Sequence, residues 1–497
     1  MMELVQNFPF MSIILSLFSG PLCSILNGKW AKRVNTTVII LVGAMSAAVL
    51  VFVLDTGEPF IYQMGHFPAP WGNEIRVGVL EAFMAGFFCV IMLLCMMGGA
   101  REREQHIEES KQNLYYVMVN LLLCSLLALI YTNDLFTAYV FVEINTISAC
   151  GLIMIRQTGR TIEAATRYMI MSLLGSGLLL LGICHLYAVT GHLLMSNIAQ
   201  QVQVLSATYQ YHTTLMVALG LMSVGLAIKS ALYPFHAWLP DAYGYSTLSS
   251  SAILSSLVSK GYIFLLLKIF YRVMGFQVVT ESRVVNVLFV FGILGMMMGS
   301  VNAIRTEDLK RMISYSSVAQ IGYIYMGLGL ATEAGSVASI YHVLSHAATK
   351  SLLFVAAAGL TDASRGNHFK DITGAGYRNK LAGVAFTVGS LSMVGMPGFS
   401  GFISKLFFAQ AAVGHGVKML PTFIALAIST VLNAIYFMKT VIRIYTPVPK
   451  SEGRAISIQE QPSKSTALLL FVLLNLILGL NSEPVIRLIQ SGLKMFD

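Results

Sequence analysis

Runs of about twenty apolar residues, each closed by a short polar break, recur along almost the whole of this chain. A helix rises 1.5 Å per residue, so such a run matches a bilayer core of about 30 Å. The backbone then has few options, because lipid offers its N–H and C=O groups no partners and only helices or closed barrels can cross. These runs are continuous rather than alternating, which selects helices. Composition agrees: 56% of the 497 residues are hydrophobic and 11% charged, against roughly 25% charged in soluble domains. The chain reads as an all-α integral membrane protein.

Fourteen spans follow from the runs, near 9–28, 37–55, 78–99, 113–131, 135–155, 167–190, 213–240, 247–271, 284–304, 312–331, 336–361, 382–412, 419–442 and 465–481. Of the 32 Lys and Arg residues, 20 fall in odd-numbered loops and 6 in even loops and termini. Basic residues stay on the cytoplasmic side of short loops, so both termini are expected outside, in a multi-pass protein of a bacterial or archaeal plasma membrane. The first run is preceded by Glu3 and followed by Lys29, Lys32 and Arg33, the reverse of a cleavable signal peptide. The net charge of +9 is therefore topology rather than a nucleic-acid footprint. Cys23, Cys89, Cys95, Cys124, Cys150 and Cys184 sit in apolar runs with no CxxC pair, and no phosphate-loop motif is present. No metal and no cofactor is expected in this chain, and no redox or hydrolytic site of its own.

The seventh and twelfth spans are long and carry helix breakers: GLAIKSALYPFHAWLP (225–240) and GSLSMVGMPGFSGFISK (389–405). Pro234 and Pro397 each remove a backbone donor and clash with the preceding turn, so both helices should break. Interrupted helices at corresponding positions of two halves point to a repeat-built transporter with a midplane site. The breaks lie five spans apart, and an odd spacing inverts one half against the other. The expected organisation is helices 1–3 in residues 1–112, a first five-helix repeat (helices 4–8) in 113–271, a second, inverted repeat (helices 9–13) in 284–442, and helix 14 with a tail in 465–497.

Six lysines lie inside spans: Lys229, Lys260, Lys268, Lys350, Lys405 and Lys439. A charge at the bilayer centre costs about 2.5–3.5 kcal/mol on insertion scales, so it marks a functional site unless it snorkels. Lys229 and Lys405 flank the two breaks and are read as equivalent. Glu143, mid-span in the fifth helix, is the expected partner of Lys229, and Lys260 the next carrier. Lys268 and Lys439 lie near span ends, where snorkelling is the expectation. His342, His346 and Lys350 fall at i, i+4 and i+8, one stripe of one helix. Two such histidines could ligate a metal, but no carboxylate or cysteine accompanies them, and a lysine on the stripe repels a cation. A proton relay is the better reading, because imidazole titrates near neutrality and has two nitrogens. Glu81, Asp134 and Asp241 are expected to pair with loop charges.

The segments KSALYPFHAWLPDAY (229–243), DLKRMISYSSVAQIGYI (308–324), HVLSHAATKSLLFVAAAG (342–359) and MPGFSGFISK (396–405) resemble the antiporter-like subunits of respiratory complex I and its relatives, in order over about 110–445. Overall length and FPAPWGNEIRVGVLEAF (67–83) resemble the D subunit of the Mrp sodium/proton antiporter most. The resemblance implies fourteen helices, inverted five-helix repeats and a hydrophilic axis in the membrane plane. The family's charged positions fall on Glu143, Lys229, Lys260, His342, His346, Lys350 and Lys405. Tyr243 stands where the motif usually has histidine, so no role carries over there. The implied function is a proton-translocating subunit of a multisubunit cation (sodium)/proton antiporter, working with other membrane subunits. The alternative is the proton-pumping membrane subunit of a redox-driven complex such as a hydrogenase, a formate hydrogenlyase or an NADH or ferredoxin dehydrogenase. A stand-alone solute carrier or an inert scaffold leaves the intramembrane lysines and histidines without a purpose.

Overall fold

In the computed structural model a helix stands at each of the fourteen expected stretches. Residues 2–67, 72–364, 366–447 and 455–496 are described; Arg365, Lys450, Arg454 and residues 68–71 of FPAPWGNEIRVGVLEAF lie outside them. In chain order the helices are α1 (Phe8–Ile25), α2 (Gly28–Thr56), α3 (Val79–Gly98), α4 (Gln112–Tyr131), α5 (Leu135–Met154), α6 (Gly159–Thr190) and α7a (His212–Lys229), continued by the short α7b (Leu239–Tyr245). Then come α8 (Leu248–Val273), α9 (Val284–Arg305), α10 (Leu309–Gly329), α11 (Glu333–Ser364), α12a (Lys380–Val394) with α12b (Ser400–Ala412), α13 (Met419–Ile444) and α14 (Pro462–Leu480). Among the described residues, twelve helices are long and apolar enough to cross a membrane. The exceptions are α10, whose sequence carries Lys310, Arg311, Gln320 and three serines, and the broken pair α12a and α12b. One small antiparallel hairpin, β1 (Phe60–Gln63) with β2 (Glu74–Val77), joins α2 to α3.

Helix limits follow local chemistry. Asn27 accepts from Trp30 N at 3.1 Å to open α2, and Gly57, left-handed at φ 72°, ends it. Asp134 and Asp308 accept from Thr137 N at 2.6 Å and Arg311 N at 2.9 Å, which starts α5 and α10. Such caps satisfy donors that the first turn leaves free. The two aspartates belong to matching junctions. Asp134 bridges Leu194 after α6, and Asp308 bridges His368 after α11, a displacement of 174 positions along the chain in both cases. The backbone bonds match as well: Leu135 N to Leu193 O and Met195 N to Asn133 O in one, Leu309 N to Asn367 O and Phe369 N to Glu307 O in the other.

The outer surface of the bundle is apolar, and polar side chains are buried within a largely apolar core. On α13, Ile424, Ile428, Val431, Ile435 and Ile442 are exposed while Thr422, Ser429, Asn433 and Thr440 are buried, the amphipathicity of a helix whose solvent is lipid. The opposite case is α8 and α11, enclosed along their whole most apolar stretch by other helices. Close packing depends on glycine: a Cβ on Gly225 of α7a would lie 2.5 Å from Gly175 O on α6.

Two expectations need correction. Lys268 does not snorkel. It is 0% exposed, and its ammonium donates to Leu129 O at 3.3 Å, Ile130 O at 2.9 Å and Thr132 O. These are the carbonyls that the C-terminus of α4 leaves unpaired, and a helix C-terminus attracts cations. Glu81 pairs with Arg272, as a loop partner would imply, but both are fully enclosed. Asp241 does pair near the surface, with Arg167 at 3.1 Å and Arg311 at 3.2 Å. Asp134 serves as a cap instead.

Candidate functional site: a buried line of amines, imidazoles and hydroxyls

Both breaker segments interrupt their helices. α7a ends at Lys229, and the chain passes through Ser230–Pro234 before a short 3-10 turn leads into α7b. α12a ends at Val394, and Gly395 and Gly398 take φ 90° and 91° before α12b begins at Ser400. A side chain at Gly395 would be strained by its φ and would also meet Lys405 Cδ at 2.9 Å.

The two lysines at the breaks are not at equivalent positions. Lys229 is the last residue of the half-helix before its break, whereas Lys405 lies in the half-helix after its own. The Lys405 side chain compensates by reaching back, donating to Val394 O at 2.6 Å and to Thr430 Oγ1 at 3.0 Å. The Lys405 ammonium thus sits at the C-terminal end of α12a, where the dipole favours positive charge, and Lys229 is itself the last residue of α7a. Each also lies 5.6 Å from a tyrosine ring centre, Tyr262 under Lys229 and Tyr323 under Lys405, within cation–π range.

Lys229 donates to Thr146 Oγ1 on α5 at 2.6 Å. Glu143, half-buried one turn earlier on α5, is within electrostatic reach of Lys229, but no ion pair joins them. From Tyr262 a hydrogen-bonded series continues through Asn145 Oδ1 at 2.9 Å and Asn145 Nδ2 to Ser125 Oγ at 3.0 Å.

Lys260 is 0% exposed, in the middle of enclosed α8. Residues Leu254–Val258 before it form a π turn, a feature common at functional sites. Its ammonium donates to Ser255 O, five residues back, and to Ser259 Oγ at 3.2 Å. Around it hydroxyls meet across helices: Ser255 with Ser317 at 3.1 Å, and Ser256 with Ser351 at 2.5 Å. Toward the loop end of α8 the buried serines and threonine continue through 251, 250, 249, 247 and 246. There Glu102 accepts from Leu248 N at 2.7 Å and Ser249 N at 3.1 Å, and Lys310 donates to Ser246 O at 2.6 Å.

On α11 the predicted stripe is real. The His342 and His346 rings are parallel within 6°, 6.1 Å apart. His342 Nδ1 bonds Ser404 Oγ at 2.9 Å, and its ring stacks on Tyr323. His342 Nε2 and both His346 nitrogens are buried with no hydrogen-bond partner among the described residues. Lys350 donates to Ile313 O at 2.8 Å and to Ser316 Oγ. Lys260 lies within electrostatic reach of His342, His346 and Lys350, as Lys405 does of His342. Lys260, His342, His346, Lys350 and Lys405 thus share one electrostatic neighbourhood, while Lys229 and Glu143 form a second group beside Tyr262 of α8.

Several participants escaped the sequence reading. Thr146, Ser316, Ser404 and Thr430 are direct partners of the lysines and histidine. Asn475, fully buried in α14, accepts from Thr349 at 2.6 Å and from Ser392 and Ser400 at 3.3 Å each. A lone Asn inside LLNLILG is a signal the sequence did carry. The hydroxyls were hidden by abundance, since Ser and Thr occur in most spans.

This is the architecture of a membrane protein with a polar line enclosed in an apolar bundle. Residues 132–432 match the model of the family described as NADH:quinone oxidoreductase/Mrp antiporter, transmembrane, and the chain belongs to that family. It is 31% identical to NADH-quinone oxidoreductase subunit N of Desulforudis audaxviator, over 99% of each chain. It is 26% identical to a protein of Staphylococcus epidermidis named as antiporter subunit mnhD2, over 97% of this chain and 93% of that one. Its fold superimposes on a chain of the archaeal membrane-bound sulfane sulfur reductase, a respiratory membrane complex, with a TM-score of 0.88 at 26% identity, covering 99% of this chain and 97% of that one. The chain is an antiporter-like membrane subunit of the superfamily that the Mrp antiporter and complex I share, and other membrane subunits are its natural partners.

Proposed function

We propose that this chain is the proton-translocating subunit of a multisubunit cation (sodium)/proton antiporter. The observation that carries the reading is that Lys260, His342, His346 and Lys350 all stand on α8 and α11, the two apolar spans whose most apolar stretch is wholly enclosed by other helices. Burying an ionisable group costs several kcal/mol unless it is paired, and a purely structural bundle gains nothing from four of them without a carboxylate among them. Lys229 holds the proton at one break, and approach or withdrawal of Glu143 changes how tightly it is held. Lys260, the imidazole pair and Lys350 form the middle of the line, and Lys405 its far end. Hydroxyls at Thr146, Ser316 and Ser404 hold the carriers in place. The serine-lined half of α8 leads to Lys260 from the Glu102 and Lys310 end.

The proposal includes fourteen crossings, with α4–α8 and α9–α13 as inverted repeats and both termini outside. The matching junctions at Asp134 and Asp308 support inversion, because five crossings separate them and so put them at opposite ends of the bundle. The distribution of basic residues supports the orientation.

A second reading, the same proton line driven by a redox module, is favoured by the higher identity to the quinone oxidoreductase subunit. Identifying what co-purifies after gentle extraction separates the two: small membrane subunits alone favour antiport, iron–sulfur or flavin subunits the redox pump. Proton transport itself is tested with Lys229→Ala and Glu143→Ala in membrane vesicles. Assembly should persist and ion transport should be lost; normal transport by both variants overturns the mechanism.

A further inference from the structure

A second buried charged cluster lies away from the proton line, where α3 begins and α8 ends. Arg272, in the π turn Ile269–Val273, is 3% exposed. One edge of its guanidinium, Nη2, faces Glu81 Oε1, and the Phe496 ring covers its plane at 4.0 Å. Its Nε and Nη1 have no hydrogen-bond partner among the described residues. Glu81 cannot serve them, since its other oxygen accepts from Gly78 N at 3.0 Å. Lys268 gives its ammonium to the α4 carbonyls. Buried polar groups are almost always paired, and a charged one left with free donors calls for an explanation.

Beside Arg272 lies a cavity of about 690 Å³. A second arginine, Arg76 of β2, lines it, tied by one nitrogen to Met495 O at 2.9 Å. Neutral donors complete the wall: Ser196, Gln203 and Ser206 of the surface helix Met195–Ala207; Gln277 also lines it but gives its amide to Glu281 at 3.1 Å. No acidic residue among the described ones lines it. Glu74, two residues before Arg76, is engaged by Asn133 at 3.3 Å instead.

We propose that this cavity binds a phosphate group, either in the headgroup of an anionic phospholipid or as a free oxyanion. Two guanidinium groups with hydroxyl and amide donors suit a tetrahedral anion with several acceptor oxygens. The open donors of Arg272 receive partners, and the volume leaves room for the glycerol of a lipid beside the phosphate. Because Arg76 also holds Met495 and Arg272 underlies Phe496, the anion would tie the C-terminal segment to α3 and α8.

The test uses the full chain, purified in detergent and stripped of lipid, titrated calorimetrically with inorganic phosphate and with short-chain phosphatidylglycerol at constant ionic strength. Arg272→Gln strands Glu81 and risks misfolding, so the variants are Arg76→Ala, Ser206→Trp to fill the cavity, and Arg283→Ala as an exposed basic control. Saturable binding is expected for at least one probe, weakened about tenfold or more by Arg76→Ala and by Ser206→Trp, and unchanged in the control. Binding of phosphatidylglycerol alone identifies a headgroup site, and binding of phosphate as well identifies a free oxyanion site. Absence of saturable binding of both probes, or binding unaffected by both cavity variants, overturns the proposal.

Discussion

Lys268 and Lys260 differ by two helical turns and have the same side chain, yet the structure gives them different work. Lys268 closes the end of α4 through three carbonyls, whereas Lys260 stands among hydroxyls and imidazoles on an enclosed helix. Replacing Lys268 by Met should therefore lower thermal stability by removing the partner of buried carbonyls, on the order of 1–3 kcal/mol. Lys439→Met, at an exposed site, should stay within about 0.5 kcal/mol; melting of the purified chain compares them. Glu81→Gln should cost about 3–5 kcal/mol by stranding Arg272, and Arg272→Met added to it should recover part of the loss. Residue type and position within a span were enough to mark Glu143, Lys229, Lys260, His342, His346, Lys350 and Lys405 in the sequence. They could not tell a lysine that caps a helix, as Lys268 does, from one that stands near imidazoles, as Lys260 does, because that depends on which helix end packs beside it.

At the scale of the element, the two breaks were legible because proline and glycine act locally, through one missing donor and one permitted φ. The π turn before Lys260 was not legible, since LSSLV has no breaker and its widened turn is decided by packing on every side. The non-equivalence of Lys229 and Lys405 was visible, one lysine standing before its proline and the other after; what was hidden is the direction of the Lys405 side chain, which reaches back to Val394 O. Two predictions belong here. Gly225→Ala places a Cβ against the Gly175 carbonyl, which is backbone and cannot yield, so α6 and α7a must separate at a cost of about 1–3 kcal/mol, measurable as a fall in melting temperature. Asn475→Leu removes the shared acceptor of Thr349, Ser392 and Ser400 at the second break, and should lower stability by about 1–3 kcal/mol in the same assay.

For the whole molecule, hydropathy gave the helices and their order, while their arrangement came from what each helix must hide. α8 and α11 carry Lys260, His342, His346 and Lys350 and are enclosed; α9 and α13 carry isoleucine, valine and methionine outward and face lipid. The apolar count alone could not rank them, because a wholly buried helix and a lipid-facing one have similar hydropathy. Nor could it separate antiport from redox drive, since neither requires a different residue in this chain. The central claim is that protons cross along the enclosed line. Its most direct test is proton flux, followed with a pH-sensitive dye, in proteoliposomes holding the native complex with either the natural chain or Lys260→Met. The account predicts that the variant complex assembles with all its subunits and loses proton flux. Flux equal to that of the natural complex, from an equally assembled variant, would contradict it.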